Sequence, residues 1–182
     1  TPLDALGVNY YHGELLSGHP QGTGGTPHDG GDLERPVGNP FPSHDGIHWV
    51  ERGLPRTGMD WEVQPDGLTR LLVRVAEEYA PEVALYVTEN GAAYDDVVGE
   101  DGVVHDADRL EFLRAHLGAS LDAIEQGVDL RGYFYWSLMD NYEWSWGYGK
   151  RFGIVRVDYD TLERTVKDSG AEYARIIAAR AL

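Results

Sequence analysis

The sequence predicts an α/β fold on a parallel sheet, and three observations lead there. Short apolar, β-rich runs alternate with longer runs whose apolar residues recur at helical spacing. Strand, helix, strand, helix, strand, helix is the order that right-handed crossovers impose on parallel strands. Two of the strand-like runs also stop at residues that packing explains poorly: Glu89-Asn90-Gly91 after 84–88, and an acidic, aromatic cluster from Trp136 to Trp144 after 132–135.

The first predicted strand is Leu6-Gly7-Val8-Asn9-Tyr10-Tyr11. From His12 to about Pro65 the chain is crowded with Gly, Pro, His and Asp and has no sustained periodicity, which predicts a long loop. Loops of that length inside a domain are uncommon and usually functional or mobile. A helix is predicted from Gly67-Leu68, with Leu68, Leu71, Leu72, Val75, Ala76 and Tyr79 on one face and Pro81 as its stop. Strand 84–88 follows, then an acidic, Gly-rich loop from Ala92 to about Val104. The second helix starts near Asp106 or Asp108, either a good N-cap, carries Leu110, Leu113, Leu117, Leu121 and Ile124 on one face, and stops at Gly127. Strand 132–136 comes next. A short strand pair around 153–159 and 162–166 leads into a last helix lined by Tyr173, Ile176, Ile177 and Ala181. Three such units do not close an eight-unit barrel, which takes ~250 residues. The pattern alone leaves a small open sheet or the C-terminal part of something larger.

At 182 residues the chain is long enough for one sizeable core. It carries 31 acidic against 15 basic side chains, a net charge of −16, so neither nucleic acid nor an anionic membrane is expected as a partner. The absence of cysteine excludes disulfides and thiolate metal sites. No apolar run approaches the ~20 residues that span a bilayer, and no signal peptide is visible at Thr1, so a cytoplasmic location is expected. His44 and His48 share a ligand-like spacing but lie among Pro, Ser and Gly, where a helix is doubtful, and no metal or cofactor is expected there. The acidic run Asp95-Asp96-Val97-Val98-Gly99-Glu100-Asp101-Gly102 lacks the ligand alternation of a calcium loop and reads as a solvated turn.

Glu89 is the strongest single candidate. A carboxylate at the last position of a buried strand points into the space beyond the sheet edge, which in parallel barrels is the active site. Trp136, Trp144 and Trp146, three of five tryptophans, fall within eleven positions and suit a ring-stacking surface. Two strand ends delivering carboxylates and indoles describe a sugar site. Tyr10 and Tyr11 alternate, so they face opposite ways, and Tyr10 is the structural one. Trp146 is open between packing and contact with the leaving group, while Lys150 and Arg151 are expected in surface or interface pairs.

Asn9-Tyr10-Tyr11, Thr88-Glu89-Asn90-Gly91, the run from Trp136 to Trp144, Tyr148-Gly149-Lys150-Arg151-Phe152-Gly153-Ile154-Val155 and Thr165-Val166-Lys167-Asp168-Ser169-Gly170 occur in an order and spacing that resemble the C-terminal two-fifths of bacterial family-one glycoside hydrolases, the β-glucosidases. The resemblance covers the whole chain, least clearly between His12 and Thr57. It implies strands six to eight of a (β/α)8 barrel, residues 1–182 forming the C-terminal portion of one catalytic domain. It implies hydrolysis of terminal β-D-glucosidic bonds with retention, on a β-glucoside or cello-oligosaccharide. By that resemblance Glu89 is the nucleophile and Tyr11 its hydrogen-bond donor, with Asn9 supporting the same site. Trp136 is the floor beneath the glucose, Glu143 and Trp144 hold its distal hydroxyls, and Phe152 lines the pocket. The family's acid/base is a Glu in an Asn-Glu-Pro motif, which these 182 residues do not contain. A separate N-terminal portion of the same enzyme is therefore expected to supply it and complete the barrel, and this chain alone is expected to be inactive. The alternatives are a non-catalytic sugar-binding fragment, a phospho-glycosidase, which the carboxylate of Glu143 disfavours by repelling a sugar phosphate, and relatives preferring galactosides, fucosides or thioglucosides.

Overall fold

A computed structural model describes residues 3–18, 48–79 and 82–182. In chain order these form β1 (Ala5–Asn9), β2 (Leu16–Ser17), β3 (His48–Trp49), α1 (Pro65–Arg74), which runs on into a π-helical turn (Val75–Tyr79), β4 (Ala84–Asn90), α2 (Ala107–Glu125), β5 (Leu130–Tyr135), a 3₁₀ turn (Trp144–Trp146), β6 (Val155–Val157), β7 (Arg164–Val166) and α3 (Asp168–Ala179). β1, β4 and β5 make a parallel sheet with β4 in the middle. β2 pairs with β3 and β6 with β7 as antiparallel ribbons. The predicted long loop thus contains ordered structure at both ends, and residues 19–47, with His44, lie outside the described residues, as does Pro81.

Local chemistry sets the helix ends. Pro65 opens α1, where its missing N–H costs nothing and its φ is already helical, with Asp66 in the first turn and Arg74 in the last. After α2 the chain leaves through Gly127 at φ +94°, a conformation that a Cβ would strain, and Val128 N–H closes the end on Ala123 O at 3.1 Å.

One face of the sheet is covered. Leu6, Val8 and Tyr10 of the first strand segment and Leu85 and Val87 of β4 meet Leu68 and Leu72 of α1 and Ala119 and Ala123 of α2. The α1 face is as predicted for Leu68 and Leu72, but Tyr79 is exposed. The α2 face differs from the prediction. Its buried residues are Arg109, Phe112, Leu113, His116, Ala119, Ser120 and Ala123, while Leu121 and Ile124 stand exposed. Small residues at 119, 120 and 123 let the helix lie close on the strands, so the buried stripe follows shape rather than the leucine count. In α3, Ile176 is buried and Ile177 exposed.

The other sheet face carries Gly7, Tyr86, Gly132 and the exposed ring of Phe134; a side chain at Gly7 would strike Thr88, and one at Gly132 would strike Tyr86. Two of the sheet's three register shifts lie at its carboxyl end, between Val8 and Asn9 on β1 and between Val87 and Asn90 on β4, the third falling between Leu85 and Tyr86. Thr88 is the extra residue, so Glu89 rather than Thr88 becomes the partner of Asn9. Strict alternation from Leu85 and Val87 would have turned Glu89 toward the helices.

Leu85 is fully buried where α1, α2 and the sheet meet. Leu85→Ala is expected to lower unfolding free energy by about 2–5 kcal/mol in urea titration. Leu162→Ala, at an exposed position, is expected to change it by less than about 0.5 kcal/mol.

Candidate active site

The site forms where the carboxyl ends of the three parallel strands converge. Gly91 follows the last two residues of β4, and an added Cβ there would lie 1.8 Å from Trp136 O. Trp136 N–H in turn donates to Asn90 O at 2.9 Å. The two strand ends therefore touch backbone to backbone, and only glycine permits it. Asn90 turns to the helix side and is fully buried, its Nδ2 donating to Tyr10 O at 2.7 Å and its Oδ1 accepting from the Tyr133 hydroxyl. Tyr10 is buried as predicted, its hydroxyl donating to Gln64 O at 2.7 Å.

Tyr11, on the same face as Asn9, donates its hydroxyl to Glu89 Oε2 at 2.8 Å. Burial, then the hydrogen bond and charge of Glu89, push the Tyr11 hydroxyl well above the ordinary tyrosine range, so it remains a donor. Asn9 accepts from the Thr88 hydroxyl at 2.6 Å, so it braces the bulge rather than touching Glu89 directly.

Around this pair stands an aromatic wall. Phe152 is buried and meets Tyr11 edge-on at 6.2 Å, and Trp61 meets Tyr11 edge-on at 5.5 Å. Trp136 and Trp146 pack on the same cluster with Met59 and Ala93. His12 stacks on Trp61 at 4.9 Å. The sequence singled out Phe152 and Trp136 but missed Trp61, Met59 and His12. They come from a segment without periodicity, and its one signal was a lone Trp within Gly58-Met59-Asp60-Trp61-Glu62. Trp146 is half-buried against this cluster, with Lys150 Nζ over its ring at 4.6 Å.

Glu143 is partly buried at the start of the 3₁₀ turn. Burial and then the Glu89 charge raise its carboxyl above the ordinary range, which places the two carboxylates in one field. Trp144, at φ +43°, is 79% exposed, with its indole out from the wall rather than in it.

Three expectations need correction. Asp96 is not in a solvated turn: its side chain is fully buried between Arg109 at 2.9 Å and Lys167 at 2.5 Å. Arg151 is not a surface pair: it meets the buried Asp140 at 2.5 Å. Lys150, besides capping the Trp146 ring, donates to Gly58 O at 2.5 Å. Charge signs along a sequence do not tell which carboxylates a fold will neutralise inside it. Among the described residues no cluster of His, Cys, Asp and Glu suits a metal ion, and no helix is long and apolar enough to cross a membrane.

A carboxyl whose proton is held more tightly folded than unfolded costs stability when ionised. For Glu143 that cost is present above the ordinary glutamate value of ~4.3 and vanishes below it. Glu143→Gln is expected to raise the thermal midpoint at pH 7 and to leave it unchanged near pH 3, as measured by unfolding scans across pH.

The arrangement is a strand-end carboxylate held by a tyrosine, inside an aromatic wall, with a second carboxylate nearby. A family model described as Glycosyl hydrolase family 1 matches residues 1–182. The chain is 47% identical over 175 residues to "Beta-glucosidase A" of Thermotoga maritima, spanning 96% of this chain and 34% of that protein. It is 46% identical over 183 residues to a "Bifunctional beta-D-glucosidase/beta-D-fucosidase" of Bifidobacterium breve, spanning 97% of this chain and 37% of that one. The solved structure "Beta-glucosidase from Thermotoga maritima in complex with deoxynojirimycin" superposes with a TM-score of 0.83 at 45% identity, covering all of this chain and 36% of its own. The chain thus spans about a third of the length of the relatives it matches. It belongs to glycosyl hydrolase family 1 and forms part of a (β/α)8 barrel.

Proposed function

We propose that the chain supplies the nucleophile and much of the glucose-binding subsite of a retaining β-glucosidase. The observation that carries this is the Tyr11–Glu89 hydrogen bond, 2.8 Å long, inside the aromatic wall. A retaining enzyme attacks the anomeric carbon with one carboxylate, and a second group protonates the leaving oxygen. Glu89 takes the first role. The phenol of Tyr11 donates to it and holds it in line. Trp136 offers its indole to the C–H face of the pyranose. Glu143 accepts hydrogen bonds from two adjacent sugar hydroxyls, charge-assisted and therefore strong. Asn9 acts through Thr88, and Phe152 backs Tyr11. Trp144 stands clear of the wall and reaches the sugar only from the open side.

The acid/base Glu belongs, in this reading, to an N-terminal portion of the same enzyme. Residues 1–182 are then the C-terminal portion of one catalytic domain and inactive alone. The coverage of about a third of the relatives supports it. So does the bare sheet face with Phe134 exposed, which in a closed barrel is the interior. The substrate is a neutral β-glucoside or cello-oligosaccharide, since Glu143 would repel a phosphorylated sugar.

Incubating the assembled enzyme with a 2-deoxy-2-fluoroglucoside bearing a good leaving group is expected to add one glycosyl group at Glu89, located by peptide mass spectrometry. Reversible binding without label would instead mean a sugar-binding module. Tyr11→Phe is expected to lower kcat by about 10–100-fold, the worth of one hydrogen bond to a charged group. Native mass spectrometry is expected to find the chain joined to one bearing an Asn-Glu-Pro motif, and a well-folded lone 20.2 kDa monomer would refute the completion.

A further inference from the structure

Asp140 lies between Trp136 and Glu143, and its side chain is fully buried. Four donors converge on it. Oδ1 accepts from Gly153 N–H and Lys167 Nζ, each at 3.0 Å, and Oδ2 accepts from Arg151 Nη1 at 2.5 Å and Val157 N–H at 3.3 Å. It thereby ties the segment carrying Trp136 and Glu143 to the segment carrying Phe152. The fit is close, since a Cβ at Gly153 would come within 2.2 Å of Asp140 N.

Asp140 is also one link in a longer series. Lys167 is shared with Asp96, Asp96 with Arg109, and Arg109 with Asp106 at 2.5 Å. Asp106 accepts from the backbone N–H of Ser169 at 2.9 Å, in the first turn of α3. Arg109 Nη2 returns to Arg151 O at 2.8 Å. The signs alternate from Arg151 to Asp106, three cations against three anions, so no net charge is buried. Asp96 stands on the loop that leaves Glu89, and Asp140 on the loop that leaves β5. The two site-bearing loops, which share the apolar cluster of Ala93, Phe152, Trp136 and Trp146, are therefore joined from behind by charge as well.

We propose that Asp140 is a positioning residue that fixes Glu143 and Trp136 relative to Glu89, and so sets how strictly the site demands the sugar's distal hydroxyls. This rests on the glucosidase reading above. Asp140 touches no sugar; it acts through the backbone of 136–144. An amide in its place would present N–H to one of the donors that now meet an oxygen, and would leave Lys167 and Arg151 short of an anion.

The test compares kcat/KM for an aryl β-glucoside and its 4-deoxy analogue in the assembled enzyme, with active sites counted by fluoroglucoside titration. Wild type is expected to prefer the glucoside strongly. Asp140→Asn is expected to shrink that preference roughly tenfold, because Glu143 no longer meets its hydroxyls in register. Loss of folded protein alone lowers both values equally and leaves the ratio intact. Arg151→Gln, at the partly exposed end of the series, provides a variant that tolerates the change and is expected to move the ratio in the same direction. An unchanged ratio in either folded variant overturns the proposal. A wild type that neither labels nor turns over overturns the glucosidase reading itself, and the two failures are told apart by that control.

Discussion

The site depends on one extra residue. β4 carries Thr88 as an insertion against β1, and that shift turns Glu89 onto the face of Asn9 and Tyr11 instead of the face of Leu85 and Val87. A one-residue slip in a strand exchanges its faces completely, which is why bulges recur next to active sites. The Thr88 hydroxyl, bound to Asn9, keeps the insertion in place. Asn90 then returns to the helix side, where the Tyr10 carbonyl and the Tyr133 hydroxyl satisfy its amide. Aiming the carboxylate and restoring the core are one and the same distortion.

Behind that end of the sheet the fold places charge where a core would normally place leucine. Burying an ion costs several kcal/mol, and a buried pair repays it only with near-ideal geometry and further hydrogen bonds. Asp140 and Asp106 meet that condition, since each accepts backbone N–H donors as well as cations. Burial depresses the Lys167 ammonium and so does the nearby Arg109 charge, while Asp96 and Asp140 hold it up. A directional network fixes loops in one arrangement in a way that apolar contacts do not. The two loops held in this way start just beyond Glu89 on β4 and at Trp136 after β5.

The two carboxylates of the site impose the opposite balance. Glu143 is partly desolvated and shares a field with Glu89, which raises its proton affinity and costs the fold stability at neutral pH. His116, stacked on Phe112 at 3.9 Å, is a further buried polar group, held down to about 4 by burial. Its Nδ1 donates to Phe112 O at 2.8 Å and its Nε2 has no hydrogen-bond partner among the described residues. The helix side of the sheet thus holds a neutral imidazole as well as the buried Arg109.

The sequence by itself determined the alternation of strands and helices and the positions of the strand ends, and it singled out Glu89, Trp136 and Glu143 by residue type and place, while Tyr11 entered only through the resemblance to family-one glycoside hydrolases. Strand limits came within a few residues, because apolar periodicity is a local property. Tertiary structure decided what periodicity does not encode. The bulge at Thr88 requires two strands in register. The buried face of α2 follows the contour of the sheet, so Ala119 and Ala123 go inside and Ile124 does not. Trp61 and His12 reach the wall from a segment with no pattern. Asp96, Arg151 and Lys167 look like solvated charges in one dimension and become a neutral buried network in three, because neutralisation depends on partners brought together from distant parts of the chain.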